Sequence, residues 1–155
     1  MSDEVEIGRG KRGRRAYTLD DIALVPSRRT RDPEDVNVGW QIDAYHVDTP
    51  LMAAPMDSVM SPETAIAFGR LGGIGVLDLD GLWTRYEDPT PILDRIAHLG
   101  EEESIATLQR VYSEPIKPSL ITARLKQLRE AGVVVAGKLS PQRVQKYWRA
   151  VVDAG

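Results

Sequence analysis

Three short runs of uninterrupted apolar residues constrain this chain most: Leu51-Met52-Ala53-Ala54, Ile74-Gly75-Val76-Leu77 and Val133-Val134-Val135-Ala136. None alternates apolar with polar, and a strand of that kind is buried on both faces, as in a parallel sheet. Parallel neighbours need a crossover, usually a helix. Helix starts stand where crossovers are required. Ser61-Pro62-Glu63 combines an N-cap hydroxyl, proline at the first helical position and a carboxylate near the positive end of the dipole. Ala65, Ile66, Phe68 and Leu71 supply the apolar side, and Gly72-Gly73 stops the helix. Ser140-Pro141 repeats the start, with Val144, Trp148, Val151 and Val152 following at helical spacing. Residues 81–132 form a long helical excursion. Helices are predicted from Thr90-Pro91 to Gly100, through Ile105, Leu108 and Val111 or Tyr112, and through Leu120, Ile121, Leu125 and Leu128 to Gly132.

The fold class is therefore α/β. A right-handed series of such units gives an open doubly wound sheet or part of a barrel. A complete (β/α)8 barrel needs about 250 residues, and this chain has 155. Its end after a helix suggests the N-terminal portion of such a barrel, about three βα units, incomplete in this chain. Ahead of the barrel, residues 1–16 carry no periodic pattern and hold Arg9, Lys11, Arg12, Arg14 and Arg15. They read as a flexible, solvated basic lead-in rather than a phosphate or nucleic-acid arm. Ile22-Ala23-Leu24-Val25-Pro26 reads as a short strand or extended packing segment, and residues 27–39 as loop.

Composition excludes several classes. With 42% hydrophobic residues, 28% charged and a net charge of -3, the chain is neither low-complexity nor disordered throughout. It holds no apolar run long enough to span a membrane, and its start, MSDEVEIG, has no apolar signal core. A cytoplasmic protein with no membrane or nucleic-acid partner is expected. There are no cysteines, so a Cys nucleophile and a Cys-based zinc site are absent. Gly69, Gly72, Gly73 and Gly75 follow a helix and precede a strand, the reverse of a dinucleotide fingerprint. His46 and His98 have no metal-binding spacing, and no metal site is expected. Glu101-Glu102-Glu103 reads as a first helical turn.

The informative segment is Ala53-Ala54-Pro55-Met56-Asp57-Ser58-Val59, at the C-terminal end of the first barrel strand. Barrels of parallel strands bind ligands at that end. Met56 in such a loop is poorly placed as core filler, and Asp57 needs donors that amides of the same loop would supply.

Three segments carry a resemblance. They are Tyr17-Thr18-Leu19-Asp20-Asp21-Ile22-Ala23-Leu24-Val25-Pro26-Ser27, Thr49-Pro50-Leu51-Met52-Ala53-Ala54-Pro55-Met56-Asp57-Ser58-Val59, and residues 65–76, AIAFGRLGGIGV. In this order and spacing they resemble the IMP dehydrogenase/GMP reductase family. Gly81-Leu82-Trp83-Thr84-Arg85-Tyr86-Glu87-Asp88-Pro89, Pro115-Ile116-Lys117-Pro118 and Leu139-Ser140-Pro141-Gln142-Arg143 are similar to the short IMP-dehydrogenase-related proteins of actinobacterial type.

The resemblance implies a (β/α)8 barrel, a small-molecule nucleotide substrate (inosine monophosphate) and NAD, with NADP as the alternative. A monovalent cation site would belong to the missing half, and the full-length protein would be a homo-oligomer. In the family, a loop cysteine attacks C2 of the purine, hydride leaves to the nicotinamide, and water releases XMP. By the same resemblance Ala54 and Met56 are substrate-binding and Asp57 and Ser58 loop-organising. No catalytic residue falls within this chain, which is expected to be inactive alone. The alternatives are a GMP reductase-type enzyme, or a non-catalytic fragment acting by protein contacts. Two departures stand out. Asp78, Leu79 and Asp80 follow the second strand, where many members have basic, His or Asn residues. The 81–132 excursion is too short for the regulatory CBS pair of many dehydrogenases.

Overall fold

The computed structural model describes residues 4–26, 29 and 31–155. Residues 1–3 of the lead-in, and Ser27, Arg28 and Thr30 of the expected loop, lie outside the described residues. The chain divides into two units, Met1–Asn37 and Val38–Gly155.

In the first unit, the basic segment is not the unpatterned lead-in expected from the sequence. It forms an antiparallel hairpin of β1 (Glu4–Gly8) and β2 (Lys11–Arg14). The register sets Glu4 opposite Arg14 and Glu6 opposite Arg12, so unlike charges face each other across the pair. Gly10 turns the chain at a φ of 69°, which a side chain rarely adopts. Val5 and Ile7 alternate with Glu4 and Glu6 along β1, but the strand is exposed on both faces, so no apolar run marks it. The segment at 22–26, expected as a short strand or an extended packing segment, forms no strand and leaves its apolar side chains exposed. A 3-10 turn spans Leu19–Asp21, held by the Asp21 carboxylate, which accepts from both the Thr18 amide and hydroxyl at 2.9 Å. The residues after it are extended but unpaired, and Leu24 is 99% exposed.

The second unit opens with another antiparallel hairpin, β3 (Trp40–Ile42) and β4 (Tyr45–Val47), which the sequence reading did not find. A mixed α/β architecture follows. Strands β5 (Met52–Ala53), β6 (Ile74–Asp78) and β7 (Ala136–Lys138) form a parallel sheet in that order. Its described helices are α1 (Pro62–Arg70), α2 (Thr90–Ala97), α3 (Glu101–Ser113), α4 (Pro118–Glu130) and α5 (Pro141–Val152). The alternation predicted from the apolar runs is therefore present.

Local chemistry explains the boundaries. Ser61 Oγ accepts from the Thr64 amide at 3.0 Å, as a capping residue does. Gly72 and Gly132 follow α1 and α4 with φ of 88° and 73°. Ser140 differs, because its hydroxyl caps nothing. Instead its amide donates to Asp80 Oδ2 at 2.7 Å, so α5 is tied to the end of β6.

The core joins the sheet to its helices through Leu77 and Leu79 of β6 and its extension, Ile121, Leu125 and Leu128 of α4, and Tyr147 of α5. Each is buried, and a fully buried aliphatic side chain contributes about 1.5–3 kcal/mol. Gly75 lets β6 approach α1, since a Cβ there would lie 2.6 Å from Ala65 Cα.

Two expectations about the strands are corrected. The third strand begins at Ala136, not Val133. Val133 and Val135 pack against the core as connector, with Val133 against Gly69 of α1. The first strand is not buried on both faces. Leu51 and Met52 are 58% and 57% exposed, and among the described residues β5 is an edge strand paired with β6 alone.

Candidate ligand cleft at the strand ends

The loop after β5 folds back on itself. The Met56 amide donates to Ala54 O at 3.0 Å, and Met56 O accepts from the amides of Val59 at 3.0 Å and Met60 at 2.8 Å. Met60 is buried in the core, which anchors the far end of the loop. The loop, the end of β6 and the helical excursion enclose a cleft of about 430 Å³. Met56, Asp57 and Ser58 of the loop line it together with Asp78 and Leu82 and with Leu93, Ile96, Leu108 and Tyr112 of the excursion. Ala54 sits one turn back, exposed at the strand end, and does not line the cleft. Three of the four residues singled out from the sequence are thus brought together.

Asp57 is hydrogen-bonded, but not by amides of its own loop as expected. Its Oδ2 accepts from the Leu82 amide at 2.8 Å and from the Tyr112 hydroxyl at 2.5 Å. The donors come from the turn after β6 and from α3, far away in sequence. Its Oδ1 is buried without a hydrogen-bond partner and lies against Gly81. Burial pushes the Asp57 carboxyl above its ordinary range, against the pull of the Tyr112 and Leu82 hydrogen bonds. Burial and the adjacent Asp57 likewise push the Tyr112 phenol up, so it remains a donor at neutral pH.

Because its folded pKa is raised, Asp57 favours the folded state most at pH below its unfolded value. That contribution fades as pH rises through the folded pKa. Asp57→Asn should therefore steepen the acid limb of the stability–pH curve, because the opposing loss of stability with rising pH is gone, measured as melting temperature from pH 3 upward. An unchanged limb would mean that the carboxyl is not shielded.

Gly81 fits tightly under this carboxylate. A Cβ at Gly81 would stand 2.3 Å from Asp57 Oδ1 and 2.7 Å from Cγ. Asp57 is short and held by two donors, so it cannot swing clear without losing them. Gly81→Ala should destabilise the fold by about 1–3 kcal/mol, as overpacking does, measured by denaturant titration.

Beside the cleft, the acidic residues at and just past the end of β6 are paired. Lys138 Nζ lies 3.3 Å from Asp78 Oδ1 and 3.6 Å from Asp80 Oδ2, and Arg143 Nε lies 3.7 Å from Asp80 Oδ1. Behind them, the buried Arg85 donates to Asp80 O from Nε and Nη2 at 3.2 and 2.9 Å, and to Glu114 O from Nη1. Its guanidinium stacks 5.6 Å from the centre of the Tyr112 ring.

Sequence reasoning missed Tyr112, Arg85 and Lys138 as site residues. Only Tyr112 carried a local signal, its spacing of four from Leu108 on one helix face. Elsewhere, His98 is exposed and bonds through Nδ1 to Asp94 O, and exposed His46 lies 3.7 Å from Asp48. Among the described residues, no three His, Asp or Glu side chains gather as a metal site would require. No helix among them is long and apolar enough to cross a membrane.

Comparison with known proteins gives a consistent result. A family model described as the IMP dehydrogenase / GMP reductase domain matches residues 16–154. An uncharacterized oxidoreductase of Mycolicibacterium smegmatis is 42% identical over 97% of this chain and 42% of its own length. An inosine-5'-monophosphate dehydrogenase of Methanocaldococcus jannaschii is 41% identical over 64 residues, which cover 41% of this chain and 13% of that protein. Among solved structures, an IMP dehydrogenase/GMP reductase-like protein from Corynebacterium glutamicum superposes with a TM-score of 0.81 at 41% identity. The match covers 99% of this chain and 42% of that one. The chain thus spans less than half the length of these relatives.

Proposed function

The chain belongs to the IMP dehydrogenase / GMP reductase family, and on that footing we propose that it forms the base-binding side of a purine nucleotide oxidoreductase. The reading is the N-terminal portion, about three βα units, of a (β/α)8 barrel. Its full-length protein oxidises inosine monophosphate to xanthosine monophosphate in guanine nucleotide biosynthesis. One observation carries this reading. The Met56 loop closes one side of a cleft at the C-terminal ends of parallel strands, where such barrels bind ligands.

The cleft suits a flat heteroaromatic base. Met56 offers a polarizable thioether, and Leu93, Ile96 and Leu108 add apolar lining. A thioether against an aromatic ring contributes about 0.3–1.5 kcal/mol. Asp57 is occupied by Leu82 and Tyr112, so it orients the loop and carries no proton to or from the substrate. Ser58 lines the same rim and completes the loop.

NAD accepts the hydride in this reading, with NADP as the alternative, but this cleft does not suit a dinucleotide's phosphates. Neither Lys nor Arg lines it, and its charged groups, Asp57 and Asp78, are acidic. No catalytic step is therefore assigned to these residues. The covalent step of the family chemistry needs a thiolate, and this chain contains no cysteine.

The test is an assay of IMP with NAD, followed by NADH absorbance. The full-length protein should turn over, and the 155-residue chain alone should not. A parallel assay of GMP with NADPH separates the reductase reading. Turnover by the isolated chain, or a full-length protein silent in both assays, would contradict the proposal.

A further inference from the structure

The excursion between β6 and β7 reaches back to the Met56 loop through one side chain. Tyr112, one residue before the end of α3, donates its hydroxyl to Asp57 Oδ2 at 2.5 Å. We propose that Tyr112 is a positioning residue that sets the pose of the Met56 loop through Asp57, so that α3 is a working part of the ligand cleft. The inference rests on the base-pocket reading above and names a residue that reading leaves without a role.

Three observations support it. First, among the described residues Asp57 has two hydrogen-bonding partners, the Leu82 amide and Tyr112. The first is fixed by the turn after β6, so the second is the one that a side-chain change can remove. A donor to a carboxylate makes a short, charge-assisted bond, stronger than a neutral one. Second, the phenol is itself held. The guanidinium of buried Arg85 stacks on its ring and bonds to carbonyls of Asp80 and Glu114, at the end of β6's turn and just past α3. Third, Gly81 closes the other side of Asp57 so tightly that the carboxylate has little room to rotate away. The charged and titratable groups facing Asp57 are Tyr112 of α3, Asp78 of β6 and Arg85 after it.

A merely structural role would attach α3 without informing the loop, and the protein supplies a control for that. The Tyr86 hydroxyl donates to Val111 O at 3.1 Å, which ties down the same stretch of α3 without touching Asp57. The experiment uses the full-length protein with 13C-labelled methionine methyls, the Met56 signal being assigned with Met56→Leu. Tyr112→Phe keeps the ring and its stacking and removes only the hydroxyl. It should shift the Met56 methyl signal and raise the pH midpoint at which that signal responds to Asp57, since the carboxylate loses a donor. It should also weaken IMP binding roughly three- to tenfold, a loss of about 0.7–1.4 kcal/mol at 1.4 kcal/mol per decade. Tyr86→Phe should leave the Met56 signal and its midpoint where they are.

An unchanged Met56 signal and midpoint in Tyr112→Phe would overturn the proposal. Equal shifts in both variants would also overturn it, by assigning the effect to anchoring of the helix in general. Absence of IMP binding by the wild type would instead refute the base-pocket reading. The methyl signal and its midpoint then decide the role of Tyr112 by themselves.

Discussion

On its own, the 155-residue chain should elute from a sizing column as oligomers or aggregates. Its parallel sheet has two edges, β5 and β7, each paired only with β6. Open edges present unpaired amides and carbonyls to other chains. Apolar surface lies beside one of them. Leu139, Val144, Trp148, Val151 and Val152 border a groove of about 370 Å³ next to β7, and Trp148 and Val152 are 48% and 64% exposed. Leu51 and Met52 expose a second apolar strip at β5. Contiguous apolar surface of this kind recruits a cover, here another copy of the chain. Light scattering coupled to size exclusion gives the mass directly. A sharp monomer peak with cooperative melting would mean that these edges are protected in solution.

Much of this architecture was legible because its signals are local. Ser61-Pro62 and Gly72-Gly73 bound α1 through the conformations of a few neighbouring residues, and the structure agrees. The strand at 133–136 was misplaced because an apolar run says that residues are buried, not that they pair. Val133 and Val135 are used for packing, and pairing begins at Ala136. The hairpin of β1 and β2 was missed because β1 is exposed on both faces and no apolar run marks it.

The site divides in the same way. The Met56 loop stands out in the sequence because strand-end position and family resemblance both point to it, and in the structure it lines a cleft. Its supports were hidden because they are distant. Tyr112 lies 55 residues from Asp57, and nothing in one local segment announces a contact of that span. The acidic pair at and just past the end of β6 looked like a departure from family chemistry. In the structure Lys138 and Arg143 sit beside it, and Asp80 fastens the start of α5.

Two substitutions in adjacent residues should separate binding from stability. Asp57→Ala strands the amide of buried Leu82 and removes the acceptor of the Tyr112 hydroxyl, and an unsatisfied buried donor costs about 1–3 kcal/mol. The expected result is a lower melting temperature. Met56→Ala removes a side chain that is 49% exposed and lines the cleft. It leaves the loop's backbone bonds in place, so melting should barely move. In the proposed reading, what it loses is the surface against which the base packs. Contacts of this kind contribute up to about 1.5 kcal/mol, or about tenfold in affinity.

The titration of IMP into full-length wild type and Met56→Ala, with melting curves of both, therefore tests the central claim most directly. The account expects about tenfold weaker binding by the variant at an unchanged melting temperature. Equal affinity in the two proteins would show that this cleft is not the base pocket.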